Sequence, residues 1–146
     1  MSFRLPPVVV FGAAAVAQRM VPRRRGFAPA SALAAAAIAS GSVLLALGGV
    51  AEFAHHRTTV DPHHVERAGA LVTTGSNAVT RNPMYVGLLG LLVARAVARR
   101  RTAALLPAAG FWWVIDHHQV PAEERALAER FGREYEEYCA SVPRWL

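Results

Sequence analysis

The stretch Ala28 to Ala51, APASALAAAAIASGSVLLALGGVA, carries no charged residue and is longer than the roughly 20 residues a helix needs to cross a bilayer. A transmembrane helix is expected here. Its small residues, among them Ala35, Ala39, Ser42 and Gly49, leave a smooth face. A second helix can approach such a face closely in lipid, where packing rather than hydrophobic drive holds helices together. The whole chain agrees with this reading: 146 residues make one domain's length, and 53% hydrophobic content with a mean hydropathy of +0.25 is high for a soluble domain of that size.

On the N-terminal side, Leu5 to Val21 is apolar apart from Gln18 and Arg19, with Pro6-Pro7 near its start, where proline costs a helix least. An early Arg, an apolar run and small residues are also found in signal peptides. Because further apolar segments follow, a retained first span is expected, joined to the second by the polar connector Pro22 to Phe27. On the C-terminal side, Glu52 to Thr80 is the longest non-apolar region and holds Thr58-Thr59-Val60-Asp61-Pro62, four of the six histidines and Leu71-Val72-Thr73-Thr74-Gly75. Loops of that length are more often functional than idle.

Asn82-Pro83 reads as a helix start, Asn as N-cap and Pro as first helical residue, with the helix running to about Ala98. Gly87, Gly90 and Ala94 share one face of it, suited first to packing and second to a flat ligand. Arg99 to Thr102 is short enough for a tight reversal. Ala103 to Ile115 then returns, with Trp112-Trp113 near its end as in an aromatic belt, and must thin the bilayer, tilt little or continue through Asp116 to His118. Pro121 is expected to start a new helix, on which Leu127, Phe131, Tyr135 and Tyr138 recur as one apolar stripe of an interfacial amphipathic helix. The expected fold is all-α and integral to the membrane, about four transmembrane helices plus that C-terminal helix. It forms one domain over 1–146, an N-terminal helical hairpin (1–51) followed by the functional part (52–146).

All sixteen basic residues are Arg and none is Lys, which together with the many Ala resembles coding bias more than a nucleic-acid footprint. Arg23-Arg24-Arg25 and Arg99-Arg100-Arg101 each abut an apolar segment, so membrane lipid is the expected neighbour. The two short loops hold Arg19, Arg23, Arg24, Arg25, Arg95, Arg99, Arg100 and Arg101; the opposite face holds Arg4, Arg57, Arg67, Arg81, Arg125, Arg130, Arg133 and Arg144. The totals are equal, although density favours cytoplasmic short loops. The single cysteine, Cys139, excludes an intramolecular disulfide and reads as a small side chain in the last helix.

Arg81-Asn82-Pro83-Met84-Tyr85 stands where the polar region ends and an apolar segment begins, and Glu123-Glu124 follows the next apolar segment. A helical hairpin carries both groups to one membrane face. Plain structural roles exist for each: Asn82-Pro83 as a cap, the glutamates as acids favoured in a first helical turn, and Arg81 as the partner of Glu124 or a clamp for a carboxylate. The doublets His55-His56, His63-His64 and His117-His118 raise a rival, a histidine-ligated membrane metalloprotein. Neighbouring residues on a helix point about 100° apart, so one doublet rarely gives two ligands to one centre. A non-catalytic membrane scaffold is the third reading.

Leu71-Val72-Thr73-Thr74-Gly75, Arg81-Asn82-Pro83-Met84-Tyr85-Val86-Gly87, Glu123-Glu124 with Leu127, Phe131-Gly132, Tyr135 and Tyr138, and Val142-Pro143-Arg144 together resemble the isoprenylcysteine carboxyl methyltransferase family and the related phospholipid methyltransferases. The resemblance spans Phe53 to Leu146. It implies an S-adenosylmethionine-dependent membrane methyltransferase whose site faces the cytoplasm, in a bacterial plasma membrane. Carried over by position, Leu71, Val72, Asn77, Asn82, Pro83, Met84, Tyr85, Glu123 and Glu124 hold the cofactor, with Arg81 and Glu124 in the catalytic role. Asn77 stands where the family often has an aromatic residue, Asn82 where it often has His, and His117-His118-Gln119 where eukaryotic members place a substrate-binding Arg. A sulfonium cofactor is a cation with an amino-acid tail, so carboxylates and an aromatic face suit its charge and a helix N-terminus suits its carboxylate. A carboxylate acceptor then needs no general base; an amine needs one, for which His117 or His118 are the candidates.

Overall fold

The computed structural model describes residues 6–26, 28–55 and 70–146, and among them every regular element is helical. The uncharged stretch forms α2, Pro29–His55, which at 27 residues is about 40 Å long and apolar enough to cross a membrane. Its surface is inverted relative to a soluble helix. The buried residues are the small ones, Ala35, Ser42 and Gly49, seven apart, while Leu33, Leu44 and Leu47 point outward at 60 to 72% exposure. In water such a face would be a large exposed patch; in lipid it is at home.

The first apolar segment forms α1, Pro7–Met20, whose 14 residues reach only about 21 Å. By length and composition α2 alone among the described helices passes as a full span. Helix α3, Pro83–Arg99, packs along α2 through its glycine face: a Cβ at Gly87 would lie 2.6 Å from the Ser42 carbonyl oxygen and 2.6 Å from the Ala46 Cβ. The small-residue face thus serves packing. It ends where Arg100 turns left-handed (φ 55), and a short 3₁₀ turn, Thr102–Ala104, completes the reversal.

Helix α4, Leu105–Val114, returns against α1 and α3. Ala14, Tyr85, Leu92, Ala108, Phe111, Ile115 and Val120 form the core there, with Phe11 edge-on to Phe111. One polar side chain lies inside it. Gln18 is fully buried, and its amide donates to the carbonyls of Leu92 (2.8 Å) and Ala104 (2.9 Å) while its oxygen accepts from Arg95 Nε (3.0 Å). A buried amide with every group satisfied ties α1, α3 and the reversal together.

Pro121 does not start a new helix. The chain continues from α4 through a π turn, Ile115–Gln119, into α5, Val120–Phe131, with the Val120 N–H bonded to the Ile115 carbonyl. The wide turn falls immediately before the proline, whose ring would otherwise press on the carbonyl four residues back, at His117. The expected single amphipathic helix is instead two. Gly132 adopts φ 51 and ψ −119, a conformation closed to other residues, so α5 stops at Phe131 and α6 runs Arg133–Ser141. The aromatic stripe survives the break: Leu127, Phe131, Tyr135, Tyr138 and Val142 still gather, now against Leu71.

Candidate functional site

The turn before α3 and the helix after α4 meet. Tyr85, buried in the first turn of α3, donates its hydroxyl to Glu123 Oε1 at 2.5 Å, and Gln119, one turn before Glu123, donates to the same oxygen at 2.6 Å. Arg81 Nη1 lies 3.0 Å from Glu124 Oε1, and also reaches Cys139 Sγ (2.7 Å) and the Tyr135 hydroxyl (3.3 Å). Arg81 thus takes the structural pairing with Glu124.

A strap of chain locks this junction. Val142 to Trp145 crosses it: the Arg81 N–H donates to the Pro143 carbonyl (2.9 Å), and the Arg144 carbonyl accepts from Thr80 Oγ1 (2.9 Å) and Asn82 Nδ2 (3.1 Å). Arg144 grips Glu124 with Nε and Nη2, at 3.0 and 2.5 Å, and reaches Asp116 with Nη1 at 3.2 Å. Bidentate guanidinium–carboxylate pairing of this kind fixes geometry as well as charge. Asn82 therefore occupies the N-cap position without capping by its side chain; Thr80 Oγ1 accepts the Asn82 N–H instead.

The loop before α3 closes the other side. Val72 and Asn77 are buried, Leu71 packs on the Tyr135 cluster, and Tyr138 donates to the Asn77 carbonyl at 2.6 Å. Burial pushes the Tyr138 hydroxyl up to about 12, so it stays a donor across the physiological range. Pro83 and Met84 lie against Gly49 of α2, and Thr74 Oγ1 donates to Glu52 at its end. Two buried donors, Asn77 Nδ2 and Arg81 Nε, have no partner among the described residues. Groups left so are costly unless something else accepts their hydrogens.

Of the residues expected at the site, Arg81, Tyr85, Glu123 and Glu124 share direct bonds, and Leu71, Val72, Asn77 and Asn82 join through the aromatic cluster and the strap, whereas Pro83 and Met84 face α2. His117 and His118 are exposed and lie on Trp113, with centroids 5.0 and 5.6 Å from its ring, and His117 Nδ1 stands 3.6 Å from Asp116 Oδ2 at the edge of the junction. His56, His63, His64 and the run from Thr58 to Pro62 lie outside the described residues; among those described, no three His, Cys, Asp or Glu side chains gather as a metal group. Gln119, Asp116, Arg144 and Thr80 form part of the junction without having been expected there.

Asp116 gives the strap a pH limit. Trp145 Nε1 donates to its Oδ1 at 2.8 Å, and chiefly this bond, with Arg144 beside it, holds the carboxyl below the usual aspartate range. A carboxylate with a lowered folded-state pKa stabilises fully above its unfolded value, about 3.9, and that contribution is lost as pH falls through the lower folded value. Emission of Trp145, read in a variant with Trp112 and Trp113 replaced by Phe, is expected to hold constant from pH 7 to about pH 5 and to change only below about pH 4. A transition near pH 6 would contradict this assignment.

The fold and junction thus define a helical protein with a membrane-length helix and a partly buried charged cluster at one end. Over 73 residues, 50% of this chain, the sequence is 34% identical to protein-S-isoprenylcysteine O-methyltransferase B of Arabidopsis thaliana. The matched part covers 37% of that enzyme's length. Over 63 residues, 43% of this chain, it is 38% identical to an uncharacterized protein of Haemophilus influenzae, covering all of that protein, so the two are relatives. No family model and no solved structure matches the sequence.

Proposed function

We propose that this chain is an integral-membrane, S-adenosylmethionine-dependent methyltransferase of the isoprenylcysteine carboxyl methyltransferase type. The observation that carries the reading is the double bond across the hairpin, Tyr85 to Glu123 and Arg81 to Glu124, in the segment order that resembles that family. In the membrane, α1, α2, α3 and α4 are the four spans, and the π turn, α5 and α6 lie at the interface, facing the cytoplasm of a bacterial cell. Membrane lipid surrounds the spans, and the acceptor is a lipophilic or small carboxyl, amine or thiol compound.

Bound S-adenosylmethionine supplies an electrophilic methyl group on a sulfonium. Leu71, Val72, Asn77, Asn82, Pro83, Met84, Tyr85, Glu123 and Glu124 are assigned to hold it. The partnerless donors on Asn77 and Arg81 fit a ligand rich in acceptors, and the carboxylates with the buried Tyr85 ring suit a cation. Arg81 and Glu124 complete each other's charge and fix the turn against α5. Gln119, standing just before the glutamates, directs Glu123 by donating its amide N–H to the carboxylate. The residues' contribution to rate is positioning and exclusion of water, since methyl transfer needs in-line approach and little else.

Calorimetry of the detergent-purified chain with S-adenosylhomocysteine tests the reading. Binding is expected, and Tyr85→Phe, which removes a hydrogen bond to a charged acceptor but keeps the ring, is expected to weaken it roughly tenfold, about 1.4 kcal/mol, while the melting temperature changes little. An absence of binding by the unmodified protein would sink the proposal. A labelled-methyl transfer assay on membrane lipid extract, small thiols and carboxylates identifies the acceptor.

A further inference from the structure

Charge in this chain is divided by position. The ten acidic residues all lie within 52–66 or 116–137, so α1, the connector after it, α3 and the reversal contain none. Between the C-terminal ends of α1 and α3 opens a cleft of about 370 Å³ lined by Ala15, Val16, Arg19, Arg23, Arg95, Ala98 and Arg99. Its α3 residues, Arg95 to Arg99, stand about 15 to 21 Å along the helix from Tyr85, away from the junction described above.

Two of its arginines are fixed by the fold. Arg95 donates to Gln18 and to the Ala15 carbonyl (3.0 Å), and Arg99 to the Val21 carbonyl (2.8 Å), so their guanidiniums are held at the cleft with further N–H groups uncommitted. Arg19 and Arg23 make no side-chain hydrogen bond or ion pair among the described residues. The two helix ends offer about −0.5 charge each, so roughly three of the four positive charges are left unbalanced. The space is that of roughly a dozen waters, enough for a phosphate with a small organic group attached. Val16 and Met20 beside it are 61 and 84% exposed, an apolar border next to a cationic cleft.

We infer that this cleft binds a phosphate-bearing headgroup, its diester or monoester oxygens taken by Arg19, Arg23, Arg95 and Arg99. The apolar border favours a phospholipid as the source, lying with its chains along α1. The inference does not depend on methyl transfer.

Thermal melting of the full chain in neutral detergent, at constant ionic strength, tests it. Short-chain phosphatidylglycerol is expected to raise the midpoint by several degrees and phosphatidylcholine, whose phosphate is paired with choline, by clearly less. The double variant Arg19→Ala/Arg23→Ala removes only side chains that make no bond among the described residues; its lipid-free midpoint should match the parent, and its response to phosphatidylglycerol should vanish. Potassium phosphate forms the second arm: an equal shift, lost in the same variant, supports the site and assigns a soluble phosphate as its source. An undiminished lipid response in the double variant overturns the inference, as does an equal response to phosphatidylcholine or a larger one to an RNA oligomer.

Discussion

Glu124→Ala is expected to release the strap and abolish cofactor binding in one step. Its carboxylate accepts from both nitrogens of Arg144 and from Arg81, so one side chain holds two cations that otherwise face each other. Removing this shared partner leaves Arg81 without its carboxylate and Arg144 with Asp116 alone, which costs about 2 kcal/mol, less than for a fully buried pair because Glu124 is 20% and Arg144 35% exposed. Arg144 has its own pKa raised, mainly by its hydrogen bond to Glu124, which marks the same dependence from the other side. The expected readouts are a melting temperature lower by several degrees, altered Trp145 emission and no measurable heat with S-adenosylhomocysteine. Glu129→Ala, an exposed position on the same helix, should leave all three unchanged. If Glu124→Ala melts like the parent, the strap is not held as described.

The second large effect concerns two glycines that the sequence does not tell apart. Gly87→Ala sets a methyl 2.6 Å from the Ser42 carbonyl oxygen and 2.6 Å from the Ala46 Cβ, one of them backbone, so α2 and α3 must separate. Overpacking of this kind costs about 2 to 3 kcal/mol. Gly90→Ala meets the Ser42 side chain, whose Oγ can rotate away, with the Cβ behind it at 3.0 Å; the cost should be under about 1 kcal/mol. Denaturation of both variants in the same detergent measures the difference, and equal destabilisation would contradict the packing.

Those glycines show what the sequence could disclose. Their shared helical face is legible from spacing, and so is α2 from its missing charges, α3 from Asn82-Pro83 and the meeting of Tyr85 with Glu123 from the two reversals in chain direction. Which glycine touches backbone is set by the register of α2 against α3, and no local signal carries that. The break at Gly132 was hidden because Leu127, Phe131, Tyr135 and Tyr138 keep helical spacing although two short helices carry them onto the same loop. Asn82 looked like a cap by residue type, yet the strap offered its amide a carbonyl, and no side chain caps the first turn of α3. Arg144 and Asp116 are 28 positions apart and meet only through the strap, so their pairing had no local signal, although Val142-Pro143-Arg144 stood out as a motif.

The π turn before Pro121 gives the long helix a phase. Each residue of an α-helix advances the side chains by about 100°, so the wide turn sets the direction of every side chain after it while leaving α4 untouched. Deleting one residue from 115–119 would keep composition and apolar stripe alike, yet rotate Glu123 and Glu124 away from Tyr85 and Arg81. Length at this point is therefore as informative as residue identity: a relative with both glutamates but one residue fewer between Trp113 and Pro121 would carry the letters of the junction without its geometry.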